Sequence, residues 1–129
     1  MAGTADTLTI SQPSAGNIQF AVTGRTFSVD NGLLLTGSSG ILSRTGVTSI
    51  TVNASADTIN LGAFTGTLPN LIATGVNFNA GAIPLNTNGA LTVNITGTAS
   101  TISGVISGSG ATVTKSGTGK LTLSGANTY

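Results

Sequence analysis

Six short runs of this chain alternate apolar and polar residues: "TLTI", "NIQFAV", "TFSV", "TINL", "LTVNI" and "KLTL". They put Leu8 with Ile10, Ile18 with Phe20 and Val22, Phe27 with Val29, Ile59 with Leu61, Leu91 with Val93 and Ile95, and Leu121 with Leu123, each set on one side of a pleat. Period-two alternation bounded by Gly, Asn and Ser is the pattern of a strand with one buried face. Gly or Pro interrupts almost every window long enough for three helical turns, and good helix formers are few. The fold class that follows is all-β.

How the strands combine depends on their spacing. One set of inward positions, Ile10, Val29, Val52, Ile72, Val93 and Val113, advances in steps of 19, 23, 20, 21 and 20 residues. A repeat near twenty suits a parallel β-helix, or β-solenoid, in which each coil stacks on the last and its inward side chains continue one core. The alternative is an antiparallel β-sandwich, which also has many short strands. Sandwiches advertise Asn-Gly and Asp-Gly hairpin turns. Here "DNG" at Asp30–Gly32 and Asn88-Gly89 are the clear cases. Charged residues are 5% of the chain, which favours the solenoid, because stacked strands tolerate Ser, Thr and Asn ladders but not columns of like charge. Val29, Val52, Val93 and Leu121 are expected in the core, and so are Phe20, Phe27, Phe64 and Phe78. A single solenoid segment over residues 1–129 is the domain organisation expected.

The same composition narrows the chemistry. Hydrophobic residues are 39% and the net charge is +1, so the chain is neither a disordered acidic tail nor a basic nucleic-acid surface. Arg25, Arg44, Lys115 and Lys120 are never massed. No apolar run approaches a membrane helix, so membrane insertion by this segment is not expected. Cysteine and histidine are absent. No disulfide frame, no thiolate metal site and no nucleophile with an ordinary base is available. The carboxylates are Asp6, Asp30 and Asp57, and no two lie at the coil interval. Turn roles, such as an Asx-turn at Asp30, fit them better than a catalytic pair. "SGTGK" at residues 116–120 lacks phosphate-loop spacing, and calcium-binding nonapeptides are absent. Thr-x-Thr pairs at Thr7/Thr9, Thr65/Thr67, Thr96/Thr98 and Thr112/Thr114 are separated by 58, 31 and 16 residues, too irregular for a flat ice-binding array. Catalytic residues, metal and cofactor are all expected to be none.

The densest motif lies at residues 108–129. It runs Gly108, Gly110, Val113, Lys115, Gly117, Gly119, Leu121, Leu123, Gly125, Asn127 and Tyr129. Each residue has a structural use. Gly117 and Gly119 suit positive φ at a tight corner. Leu121 and Leu123 suit the core. Asn127 suits a backbone hydrogen bond or an Asn ladder, and Tyr129 suits an apolar corner with its hydroxyl in water.

In that order these residues resemble the autotransporter-associated β-strand repeat of bacterial autotransporter passengers. The likeness covers about the last fifth of the chain and occurs once in full; "GLLLTGSSGILSRTG" is a loose echo of it. The resemblance implies a right-handed parallel β-helix, carried to the cell surface by an outer-membrane barrel that this stretch does not contain. It also implies that the stretch is part of a longer passenger. The start "MAGTADTLTI" has no basic or apolar leader, so an export signal is expected outside it. The expected function is a rigid structural segment, extracellular or on the bacterial surface, presenting adhesive contacts to a glycan or protein. Alternatives are a self-assembling fibre subunit that associates through its C-terminal coil and, more weakly, a fragment of a polysaccharide-active enzyme.

Overall fold

The computed structural model describes residues 6–23, 39–43, 45–54 and 57–129. Val29, Asp30, Phe27, Arg25 and Arg44 lie outside those residues, and so does the loose echo for most of its length. The described residues are strands and turns without a helix, arranged as a parallel β-solenoid with a repeat of about 21 residues. A sandwich is ruled out, because the strands of successive coils pair parallel.

Each coil visits three sheets in turn. The first sheet holds β4 (Ser49–Asn53), β6 (Asn70–Gly75), β9 (Ala90–Ile95) and β12 (Thr112–Ser116), in that spatial order. The second holds β5 (Thr58–Leu61), β7 (Asn77–Ala80), β10 (Ser100–Ile102) and β13 (Leu121–Leu123). The third is narrow: Leu68 bridges to Leu85, β8 (Ile83–Pro84) pairs with β11 (Ile106–Ser107), and Ser107 bridges to Thr128.

Register explains the apolar alternation. On the first sheet Ile50, Leu71, Leu91 and Val113 form one column, at steps of 21, 20 and 22 residues. Val52, Ala73, Val93 and Lys115 form the next. On the second sheet Ile59 lies beside Phe78, and Leu61, Ala80, Ile102 and Leu123 continue in line. Leu91, Val93, Ile95, Ile59, Phe78, Ile102 and Ile106 are wholly buried. Each fully buried aliphatic or aromatic side chain contributes about 1.5–3 kcal/mol relative to exposure, so these columns are the main source of stability. Phe64 is buried and Phe20 is partly buried against the core, as expected of both.

The N-terminal strands join differently. β1 (Thr7–Ser11) lies parallel to β5, with Leu8 beside Ile59 and Ile10 beside Leu61. β2 (Asn17–Val22) then turns back antiparallel to β1, and β3 (Ser39–Ser43) lies antiparallel to β2. The second sheet therefore grows to seven strands. The turn between β1 and β2 carries Pro13 and ends at Gly16, whose φ is 79°.

Two core expectations need correction. Ile72 is 40% exposed and points outward, because Leu71 and Ala73 hold the inward positions of β6. Ile10 and Val52 do not share a column: Ile10 stacks on Leu61 in the second sheet and Val52 on Ala73 in the first. A list spaced by one coil length cannot tell three faces apart. Leu121 is only partly buried and Leu123 is 38% exposed, since no strand covers β13 on its far side among the described residues.

Candidate functional site

The motif at residues 108–129 occupies one coil, stacked on that of β9 and β10, and its parts fall at sheet positions and corners. Gly108 and Gly110 flank the corner that leads into β12, where Ala111 N–H donates to Gly108 O at 3.0 Å. Gly117 takes φ 77°, as expected at the corner after β12. Gly119 does not adopt positive φ; it is required for a different reason. A side chain there would run into the backbone of Gly97 and would lie 2.9 Å from Ile95 O. Gly125 is held in the same way against the backbone of Gly104 in the coil below. Leu121 lies over Ser100 and Leu123 over Ile102. Asn127 Oδ1 accepts from Ile106 N–H at 2.8 Å, a backbone bond to the preceding coil rather than a side-chain ladder. Tyr129 is exposed.

Asn127 belongs to a wider pattern. Asn70 Oδ1 accepts from Ala90 N–H at 3.0 Å, Asn77 Oδ1 from Ala99 N–H at 3.2 Å, and Asn79 Oδ1 from Thr101 N–H at 3.2 Å. Each clamp joins two neighbouring coils through a backbone group. Sequence reasoning gave Asn127 a bond to the turn backbone or a place in an Asn ladder, and foresaw no backbone clamp between coils. The available signal was the pair Asn77 and Asn79 flanking Phe78, polar positions on an otherwise apolar-alternating strand.

Lys115 is the departure from the pattern. Val52, Ala73 and Val93 hold the same column in the lower coils, and all three are buried. Lys115 takes that column on the last coil. Its ammonium bends back, and Nζ donates to Gly117 O at 2.7 Å. The position is exposed, so the charge remains hydrated.

Asp6 and Asp57 are placed apart from this coil. Asp57 is buried, and its Oδ1 accepts from Asp6 N–H at 2.8 Å, across 51 residues of sequence. Its Oδ2 has no hydrogen-bond partner among the described residues. The side chain therefore fastens the start of β1 to the first coil. That is a long-range role, where sequence reasoning expected only a local turn. Stacking of β1 on β5 brings Asp6 and Asp57 together; spacing along the chain gave no sign of it. No group of three or more potential metal ligands occurs among the described residues.

One outer surface is concave. Thr9, Asn60, Asn79 and Thr101 follow one another across the outside of the second sheet. With Gly62 and Ser103 they line a shallow depression of about 430 Å³. Asn79 Nδ2 donates to Asn60 Oδ1 at 3.2 Å. Leu61 and Ala80 share the lining with these amides and hydroxyls, and much of it is apolar; no side chain there is charged, so it offers no acid or base.

Comparison of the chain with protein-family models, with curated proteins and with solved structures gave no match.

Proposed function

We propose that this chain is a structural segment of a surface-exposed or secreted bacterial passenger of the autotransporter kind. The observation that carries the reading is the fit of the Gly, Leu and Asn positions of residues 108–129 to one coil. The same residues that resemble the passenger repeat make the corners, core positions and backbone clamp of that coil. Each coil adds about 4.8 Å to a rigid stack, so repetition lengthens the stack without changing its cross-section. The outward residues are then free to make contacts, and the depression around Asn60 and Asn79 suits a neutral glycan.

The test is surface display. The chain is fused between an export signal with an epitope tag and an outer-membrane translocator barrel, and intact bacteria are labelled with antibody. Labelling of unpermeabilised cells equal to that of a known passenger is expected. Label seen only after permeabilisation overturns the passenger reading. For adhesion, Thr9→Val, which keeps the β-branched shape but removes a hydroxyl from the depression, should reduce binding to a neutral-glycan array while leaving thermal melting close to wild type.

A further inference from the structure

Asn88-Gly89, a dipeptide that marks a hairpin in an antiparallel sheet, stands here at a corner of the coil, between Leu85 of the third sheet and β9. Asn88 takes φ 55° and is exposed, while Gly89 is buried. The corner is stitched on both sides. Gly89 N–H donates to Asn86 O at 2.8 Å and closes the turn. Asn86 N–H donates to Leu68 O at 3.0 Å in one neighbouring coil, and Asn88 N–H to Ser109 O at 2.8 Å in the other. Gly89 O accepts from Thr112 N–H at 2.9 Å. The turn is tight: a Cβ added to Gly89 would lie 2.8 Å from Asn86 O.

The same dipeptide carries chemistry of its own. A glycine nitrogen has no side chain beside it to shield it. Once it gives up its proton to hydroxide, it can attack the side-chain carbonyl of the asparagine before it. For this pair a bond forms between Gly89 N and Asn88 Cγ, the bond from Cγ to Nδ2 breaks, and ammonia leaves. Water then opens the resulting succinimide ring. Attack at Cγ gives aspartate. Attack at the main-chain carbonyl gives isoaspartate, in which the chain runs through Cβ and Cγ and is one atom longer. One water is taken up and one ammonia released, and nothing is oxidised or reduced.

The fold acts on both halves of that reaction. A succinimide nitrogen carries no hydrogen, so ring closure must break the Gly89 N–H bond to Asn86 O. In the closed corner the nucleophile is held as a donor and withheld from Cγ. The product meets a second constraint. Asn88 N–H and Gly89 O flank the lengthened link, and they are bonded to Ser109 and Thr112. An extra chain atom between them cannot keep both bonds and also the start of β9 in register. That strand carries Leu91, Val93 and Ile95, all wholly buried.

We propose that Asn88 is a site of covalent self-modification gated by this corner: deamidation proceeds when the turn opens, and the isoaspartate so formed keeps β9 from returning to its register. The site is a one-way record of opening within the stack. It depends on the solenoid corner alone, whatever the chain does at a cell surface.

The test incubates the full chain in mildly alkaline buffer, folded and in urea, followed by tryptic digestion. Asn31-Gly32 falls in fragment 26–44 and Asn88-Gly89 in fragment 45–115, so mass spectrometry reads the two pairs separately. Conversion at Asn88 should be at least about tenfold slower in the folded chain than in urea. Enzymatic methyl transfer to the isoaspartyl carboxylate counts that product. After refolding, the urea-treated wild-type chain should melt lower than an Asn88→Gly chain treated alike, in proportion to its isoaspartate at residue 88. Glycine accepts the left-handed backbone there, and changes at Asn31 are common to both chains. Freshly prepared Asn88→Asp, which adds the charge without lengthening the chain, should melt close to wild type. Equal rates folded and in urea, no conversion at Asn88 in urea, or refolded chains that melt alike overturns the proposal. So does an Asn88→Asp chain as unstable as the isoaspartyl one, since charge and not chain length would then be the cause.

Discussion

Val93 and Leu91 show how much one side chain decides here. Both are wholly buried and both belong to β9, yet what lies above them differs: Val113 over Leu91, and Lys115 over Val93. A buried unpaired carboxylate costs several kcal/mol. Leu91→Asp should therefore abolish cooperative thermal unfolding. Val93→Asp should be destabilised less, because Lys115 is one strand away and can turn toward it; adding Lys115→Val should remove that relief. Chemical denaturation of the two single variants and the double variant checks the order, and equal loss in both single variants would show that Lys115 cannot reach the column. Asp57 gives a second test. Asp57→Ala removes the acceptor for Asp6 N–H and should cost about 1–3 kcal/mol, whereas Asp57→Asn keeps an oxygen there and should cost less. Hydrogen exchange at Asp6 and along β1 is the direct readout. Unchanged protection in the alanine variant would mean that β1 is held by its pairing with β5 alone.

At the scale of the element, corners constrain sequence more tightly than strands do. A strand position on the outer side tolerates Thr, Asn or even Ile72. A corner residue pressed against the coil below does not tolerate a side chain. Gly119→Ala places a methyl group on the backbone of Gly97 and Ile95, and neither can move without breaking ladder bonds, so a loss of about 1–3 kcal/mol is expected. Gly62 provides the control. An added Cβ there meets its nearest atom, Ile10 O, at 3.5 Å, an ordinary contact. Gly62→Ala should be close to neutral, or slightly stabilising through the unfolded chain. Melting temperatures of the two variants decide the matter, and similar values would show that close approach is not what selects glycine at these corners.

At the scale of the whole molecule, two ways of joining strands meet in the second sheet, which continues through β1 into antiparallel β2 and β3. Parallel pairing of β1 with β5 sets Leu8 beside Ile59 and Ile10 beside Leu61, so the hairpin shares its core with the coils. Ile59→Ala should therefore loosen both together, at a loss of about 2–5 kcal/mol. Hydrogen exchange along β1 and β7 checks this, and unchanged protection in β1 would show that the hairpin is held independently of the coils.

The sequence by itself determined the class of fold. Alternation in "TINL" and "LTVNI" sets which side chains are buried, because a strand has only two sides. Glycine, asparagine and serine between the runs exclude helices, and the interval near twenty identifies the stack. It also named Gly117 as a positive-φ corner, a need that arises within a few residues of chain. Tertiary structure decided everything that depends on which strand lies beside which. One repeat length fits three sheets equally well, so Ile10 and Ile72 were assigned to a column that neither joins. The clamp of Asp57 on Asp6 and the crowding at Gly119 both arise between residues distant in sequence. Lys115 is the clearest case. Along the chain it is one residue of a repeat motif, and only the register with Val93 places it in line with a buried core column.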